Sequence, residues 1–405
     1  MNGEKMSFSK VRKYIILFFA AFALFIAAVN LLYGIRGIPG YDFRLRYHEL
    51  ECLRQGIDPY DIVMKNVPST EYALFGTPEA KPGVKTLHVY TPWEYTWFLP
   101  LSFLSERASG TLFLLFSTVA LLAVSAFACV EGRKAGTDWA DSVFAGSAAL
   151  FMGYSAGEVL AMGNYGAINA LLIVLLAIAL NKGHDVLAGF AWAFLMMKPQ
   201  IGVLFAIPIL MKRRFITAGV AVATCIVCAI PPALMCGKNP VELILEVPGA
   251  CSGAAEENGT MLIPSTVFRM LRGKVPYALL GGISMAIGSA LCFVLTWRLR
   301  KMKNWLIFLI PTVACALIWN YCKPHDRVIL CVAQLAAALA VIRTEKKSVR
   351  IFSLVLIFLT AWPLLCDDSA LTKLIRRIQL VMLVFGCWML PKLHLFDTEK
   401  EEKTE

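Results

Sequence analysis

A handful of polar residues interrupt an otherwise apolar chain, and their types are ones that support chemistry. Tyr41-Asp42-Phe43-Arg44 follows the first membrane-length apolar segment directly, and Gly56-Ile57-Asp58-Pro59-Tyr60 comes shortly after it. Gly163-Asn164, Lys198-Pro199 and His325-Asp326 break into later apolar runs. A carboxylate where a helix leaves a membrane is costly unless it caps a helix, pairs with a cation or takes part in a reaction. Asp42 reads evenly as an N-cap, its carboxylate accepting backbone N–H bonds, and as a reacting group. Asp58 before Pro59 suits a turn better than catalysis. Arg44 and Arg46 can snorkel to lipid phosphates, and His325-Asp326 fits a helix N-cap beside a solvated histidine as well as it fits a site. A lysine inside an apolar segment costs about 2.5–3.5 kcal/mol on insertion scales, so Lys198 calls for a partner or for a place at a helix end.

The elements that must position these residues are membrane helices. Of the 405 residues, 58% are hydrophobic and 17% charged, with a mean hydropathy of +0.65. Uncharged apolar stretches of roughly 20 residues, the length that spans a bilayer core, recur throughout. The expected fold is therefore all-α, a polytopic transmembrane helical bundle with no room for a sizeable soluble domain. The net charge of +11 comes from short basic clusters between spans. That pattern points to membrane topology and anionic-lipid contact rather than to nucleic acid. The first apolar segment, behind Lys10, Arg12 and Lys13, reads as a retained anchor rather than a cleaved leader. Cys225-x-x-Cys228 has no second pair, and no His, Asp or Glu cluster requires a metal.

Placing the cationic clusters at the amino terminus, Lys212-Arg213-Arg214, Arg298 to Lys303 and Arg343 to Arg350 on the cytoplasmic side gives about twelve crossings. Residues 35–90, 237–276, 320–326 and 366–374 then face outward, 1–391 form one domain, and the charged tail 392–405 is cytoplasmic. Two arrangements fit 91–211. In the preferred one, 91–105 only dips into the membrane and Lys198-Pro199 breaks its segment into two passes. That version brings Asn164 and Lys198 beside Asp42.

The loop 35–90 holds seven basic and seven acidic residues, and a loop of such length is uncommon without a task. Phe43, Tyr47, Leu50 and Leu53 recur at helical spacing, with Arg44, His48, Glu51 and Gln55 on other faces. This predicts an amphipathic helix in the membrane interface, ended by Gly56 and followed by a turn at Asp58-Pro59.

The order of these motifs resembles the family-87 membrane glycosyltransferases. An outward Asp just after the first helix and Gly-x-Asp-Pro-Tyr precede an aromatic-Thr-Pro element, here His88-Val89-Tyr90-Thr91-Pro92-Trp93, and Phe98-Leu99-Pro100-Leu101. Gly163-Asn164, Lys198-Pro199 and His325-Asp326 complete the match, with Asn164 where the family often has glutamine. The resemblance implies a GT-C type bundle. It also implies an enzyme that moves a hexose, mannose-like, from a polyprenyl-phosphate donor to a glycolipid or glycan acceptor, without cofactor or metal. By the same resemblance Asp42 is the general base. Arg44, Arg46, Lys198 and His325 are candidates for the phosphate, and Asp58, Tyr60, Tyr90, Asn164 and Asp326 complete the substrate-binding set. Membrane lipid, the donor lipid and the acceptor are the implied partners. A polytopic secondary transporter is the alternative, since many helices and a Lys-Pro break are expected there too.

Overall fold

A computed structural model describes residues 8–60, 90–136, 138–247, 275, 277–319, 324–361, 370–393 and 395–396. These residues are 86% helical and contain no strand, which is the all-α fold expected from composition. Outside the described residues lie most of the 35–90 loop, including His88 and Val89, most of 237–276, parts of the other outward segments, and the end of the tail.

The first half comprises α1 (Phe8–Gly37), α2 (Tyr41–Arg54), α3 (Pro92–Phe98), α4 (Glu106–Ala135), α5 (Trp139–Leu150), α6 (Gly153–Met162), α7 (Gly166–Asn181) and α8 (Asp185–Leu195). The second half follows with α9 (Pro199–Gly202), α10 (Ala206–Met211), α11 (Phe215–Met235), α12 (Tyr277–Leu299), α13 (Trp305–Trp319), α14 (Cys331–Arg343), α15 (Lys347–Ala361) and α16 (Ala370–Leu393). Among the described residues, five helical stretches are long and apolar enough to cross a membrane, and a sixth if α5 and α6, bent by 55° at their junction, count as one. Others, such as α7 at 16 residues and α8 at 11, are apolar but shorter than a span. The protein is thus a multi-pass membrane protein in which several apolar helices are short or broken.

Burial sorts the helices. The spanning stretch that ends in α14 is 83% buried, whereas that of α1 is 11% buried, and α1 turns Phe18 and Phe25 outward. Large exposed apolar side chains cost nothing against lipid, so α1 belongs at the rim and α14 at the centre. The main core joins α7, α13 and α14 through Ile173, Leu176, Phe308 and Leu335. A second, aromatic core gathers Phe43, Tyr47, Trp93, Phe98, Phe113 and Tyr165 beneath α2 and α3.

Helix α2 forms where the spacing predicts it, and Phe43, Tyr47, Leu50 and Leu53 are buried. Its setting differs from the expected interfacial one, because α4, α6, α11 and the 3-10 turn Leu99–Phe103 all pack against it. Asp42, Arg46 and Glu49 are consequently buried with the apolar stripe. Gly40, at φ 85°, rather than Asp42, is the N-cap. Asp42 lies in the first turn, where the helix dipole still favours its charge.

Short α3 is tied to α11 by a missing donor. Pro232 has no N–H for the Cys228 carbonyl, and Thr96 Oγ1 donates to that oxygen instead. Helix α6 ends at Gly163 with φ 65°, and a Cβ there would lie 2.5 Å from Phe43 Cβ. Gly163→Ala therefore combines a left-handed strain with a clash against α2, and should destabilise the protein by about 1–3 kcal/mol. A lowered thermal unfolding midpoint in lipid nanodiscs checks this.

Candidate functional site

Three breaks in helical structure meet at one point. Helix α6 stops at Gly163, which releases Asn164 before α7 begins. Helix α8 stops before Lys198, whose φ of −118° and ψ of 82° are those of a residue pushed out of the helical region by the proline after it. The 3-10 turn Pro324–Leu330 carries His325 and Asp326 into α14. The first turn of α2 brings Asp42 against them. Close approach is again set by glycine, since a Cβ on Gly40 would lie 2.7 Å from the Met162 carbonyl carbon.

The side chains form a connected set. Asn164 Nδ2 donates to Asp42 Oδ2 at 2.8 Å, and its Oδ1 accepts from Lys198 Nζ at 3.2 Å. The same Oδ1 accepts from the Gly166 N–H at 3.1 Å, which helps start α7. Lys198 Nζ also forms an ion pair with Asp326 Oδ1. His325 Nε2 sits between the two carboxylates, 3.8 Å from Asp42 Oδ2 and 3.9 Å from Asp326 Oδ1. All five residues are buried; Asp326 is fully so, and the Asp42 side chain keeps 12% of its exposure. Removing Lys198 alone would take the ammonium from a buried ion pair, a change that typically costs about 3–5 kcal/mol.

A second polar layer lies behind the first. Arg46, one helical turn beyond Asp42 on α2, is wholly buried. Its Nε donates to Glu94 Oε1 at 2.6 Å, and its guanidinium lies 4.3 Å from the Tyr165 ring centre and 4.5 Å from that of Tyr90. Such ring contacts are worth about 2 kcal/mol when desolvated. Arg46 Nη1 and Nη2 have no hydrogen-bond acceptor among the described residues. Tyr165 O–H donates to Glu94 Oε2 at 2.7 Å, and Lys198 Nζ lies 5.5 Å from the centre of the same ring. Tyr165 thus separates the two layers. Burial pushes the Glu94 carboxyl up to about 7, with Arg46 and the Tyr165 hydroxyl partly offsetting it.

The remaining sequence-derived candidates lie elsewhere. Arg44 pairs with Glu106 at 2.7 Å on a half-exposed face. Asp58 accepts from the Tyr60 N–H at 2.8 Å and pairs with Lys238, so here it holds a turn. Tyr60 O–H donates to the Tyr90 carbonyl, which ties that turn to the start of α3. Glu94 and Tyr165 were not picked out from the sequence. Glu94 is the one acid in the aromatic stretch Trp93–Phe98, and the reasoning that flagged Lys198 applies to it equally. Tyr165 carries no such signal beyond its place next to Asn164.

The sequence model of glycosyltransferase family 87 matches residues 88–366 of the chain. The matched range holds Asn164, Lys198, His325 and Asp326, and it begins after Asp42. No curated protein and no solved structure matches the chain.

The raised Glu94 carboxyl gives a stability signature with a definite sign. Between its ordinary 4.5 and about 7, the folded chain holds a proton there that the unfolded chain has released. Stability therefore falls as pH rises through that window. Glu94→Gln should flatten this part of the pH profile of the unfolding midpoint in nanodiscs; an unchanged slope would assign it to other groups.

Proposed function

Because the chain belongs to glycosyltransferase family 87, we propose that it moves a hexose, mannose-like, from a polyprenyl-phosphate carrier to a lipid or envelope-glycan acceptor at the outer face of the cell membrane. The residues before the family match supply Asp42 and α2, so 1–391 are read as one catalytic domain with its amino terminus and the tail 392–405 inside. About twelve crossings fit this reading if the shorter apolar helices cross in pieces or in pairs.

The reaction is a single displacement. The acceptor hydroxyl oxygen attacks the anomeric carbon while the bond from that carbon to the carrier phosphate breaks. The electron pair leaves on the phosphate, the hydroxyl proton passes to Asp42, and the configuration at carbon inverts. Lys198 and His325 meet the charge that develops on the leaving phosphate, and Asn164 sets the distance between the cation and the base. Arg46, two of whose nitrogens have no acceptor among the described residues, adds positive potential behind Asp42. Tyr90 lines the same layer, while Arg44 and the Asp58-Tyr60 turn hold the edge of the site. The observation that carries the reading is the convergence of Asp42, Asn164, Lys198, His325 and Asp326 from three helix breaks and a helix start. A transporter reading leaves that carboxylate–amide–ammonium chain without a task once family membership is counted.

The test is transfer of labelled hexose from a polyprenyl-phosphate donor by the purified chain in proteoliposomes. Asp42→Asn is expected to lower kcat by about 10²–10⁴-fold with the unfolding midpoint kept; a normal rate would overturn the assigned base. The pair Lys198→Gln with Asp326→Asn keeps the buried hydrogen bonding without the charges. It should fold, raise KM for the donor and depress kcat, whereas wild-type kinetics would remove Lys198 from the phosphate site.

A further inference from the structure

Helices α13, α14, α15 and α16 border a cleft of about 350 Å³ whose lining includes none of the residues of the Asp42 cluster. Ile310, Ala337, Phe352, Leu356, Leu383 and Leu390 are among its lining residues, and Ser348 and Ser353 are the hydroxyl-bearing ones. Its size falls within the range of small-molecule sites, yet its lining offers few directional contacts. An apolar chain is what such a surface accepts.

What stands at one end of the cavity specifies the rest of the ligand. Ser348 and Val349 line it, and they sit between Lys347 and Arg350 at the start of α15. Leu390 and Leu393 line it on either side of Lys392, and Ala340 does so one turn before Arg343. Lys346, Lys347, Arg350 and Lys392 are all exposed, with Glu345 the neighbouring acid. On the adjoining helix end, Arg298 packs 5.1 Å from the centre of the Trp388 ring, between lining residues Cys387 and Met389. The buried Nε of Arg298 has no acceptor among the described residues. An apolar slot between helices beneath a cluster of cations is complementary to an amphiphile with an anionic head.

We propose that this cleft binds an anionic membrane phospholipid, one acyl chain between α14, α15 and α16 and the phosphate on the rim formed by Lys346, Lys347 and Arg350. The site is separate from the sugar-transfer cluster, and the proposal does not depend on the reaction assigned there.

The experiment is native mass spectrometry of the full chain released from nanodiscs of mixed phosphatidylglycerol and phosphatidylcholine, with unfolding midpoints recorded in the same discs. Wild-type chain should retain phosphatidylglycerol enriched about tenfold over its share in the disc. Lys346→Gln with Lys347→Gln and Arg350→Gln should keep a bound lipid but lose the enrichment. Gly386→Leu, where a Cβ meets nothing closer than 3.5 Å, should fold and lose the lipid itself. Retention of the two lipids at the disc ratio by wild type would overturn the proposal, as would enrichment unchanged in both variants. Lipid-free dimers would overturn it in favour of a second copy. Enrichment seen only after truncation at residue 396 would overturn it in favour of the acidic tail as the rim's partner.

Discussion

The Lys198 ammonium is the constraint around which the rest of the site is arranged. A charge buried in an apolar bundle persists only with partners, and its partners come from different parts of the chain: Asp326 from the turn before α14, and Asn164 from the gap between α6 and α7. Each partner stands at a place where a helix is interrupted, because an uninterrupted helix would keep its own backbone groups satisfied and offer no such turn. Satisfying one cation therefore brings three interruptions together, and Asn164 then extends the network to Asp42.

Much of this was legible in the sequence, for physical reasons that differ by residue. Lys198 announced itself by its insertion cost, and Pro199 announced the break that exposes it. Phe43, Tyr47, Leu50 and Leu53 announced α2 by their period. What covers α2 was not legible, because periodicity reports which face is apolar and says nothing about whether lipid headgroups or other helices meet the polar face. Asp42 as a possible N-cap gave way to Gly40 for a related reason: the close approach of α2 to α6 is a tertiary fact that a local capping preference does not contain. The number of crossings is the least legible feature, since a length rule counts straight spans and several apolar helices among the described residues are bent or shorter than a span.

The layer behind the site shows why Glu94 escaped notice. Its significance comes from Arg46 and Tyr165, residues 48 and 71 positions away along the chain. A buried arginine held by Glu94 and by aromatic faces keeps its charge, and two of its nitrogens have no acceptor among the described residues. That leaves a fixed positive charge beside Asp42, held in place by its surroundings.

The bond from Thr96 to the Cys228 carbonyl has a consequence for how the bundle assembles. Pro231 and Pro232 leave the carbonyls of Val227 and Cys228 without internal donors. Thr96 can therefore dock on α11 at only one height without leaving its hydroxyl and that oxygen unmatched in an apolar surround, a mismatch worth several kcal/mol. The prolines thus serve as a ruler. They fix the height at which the aromatic stretch from Trp93 to Phe98 settles, and with it the depth at which Glu94 meets Arg46.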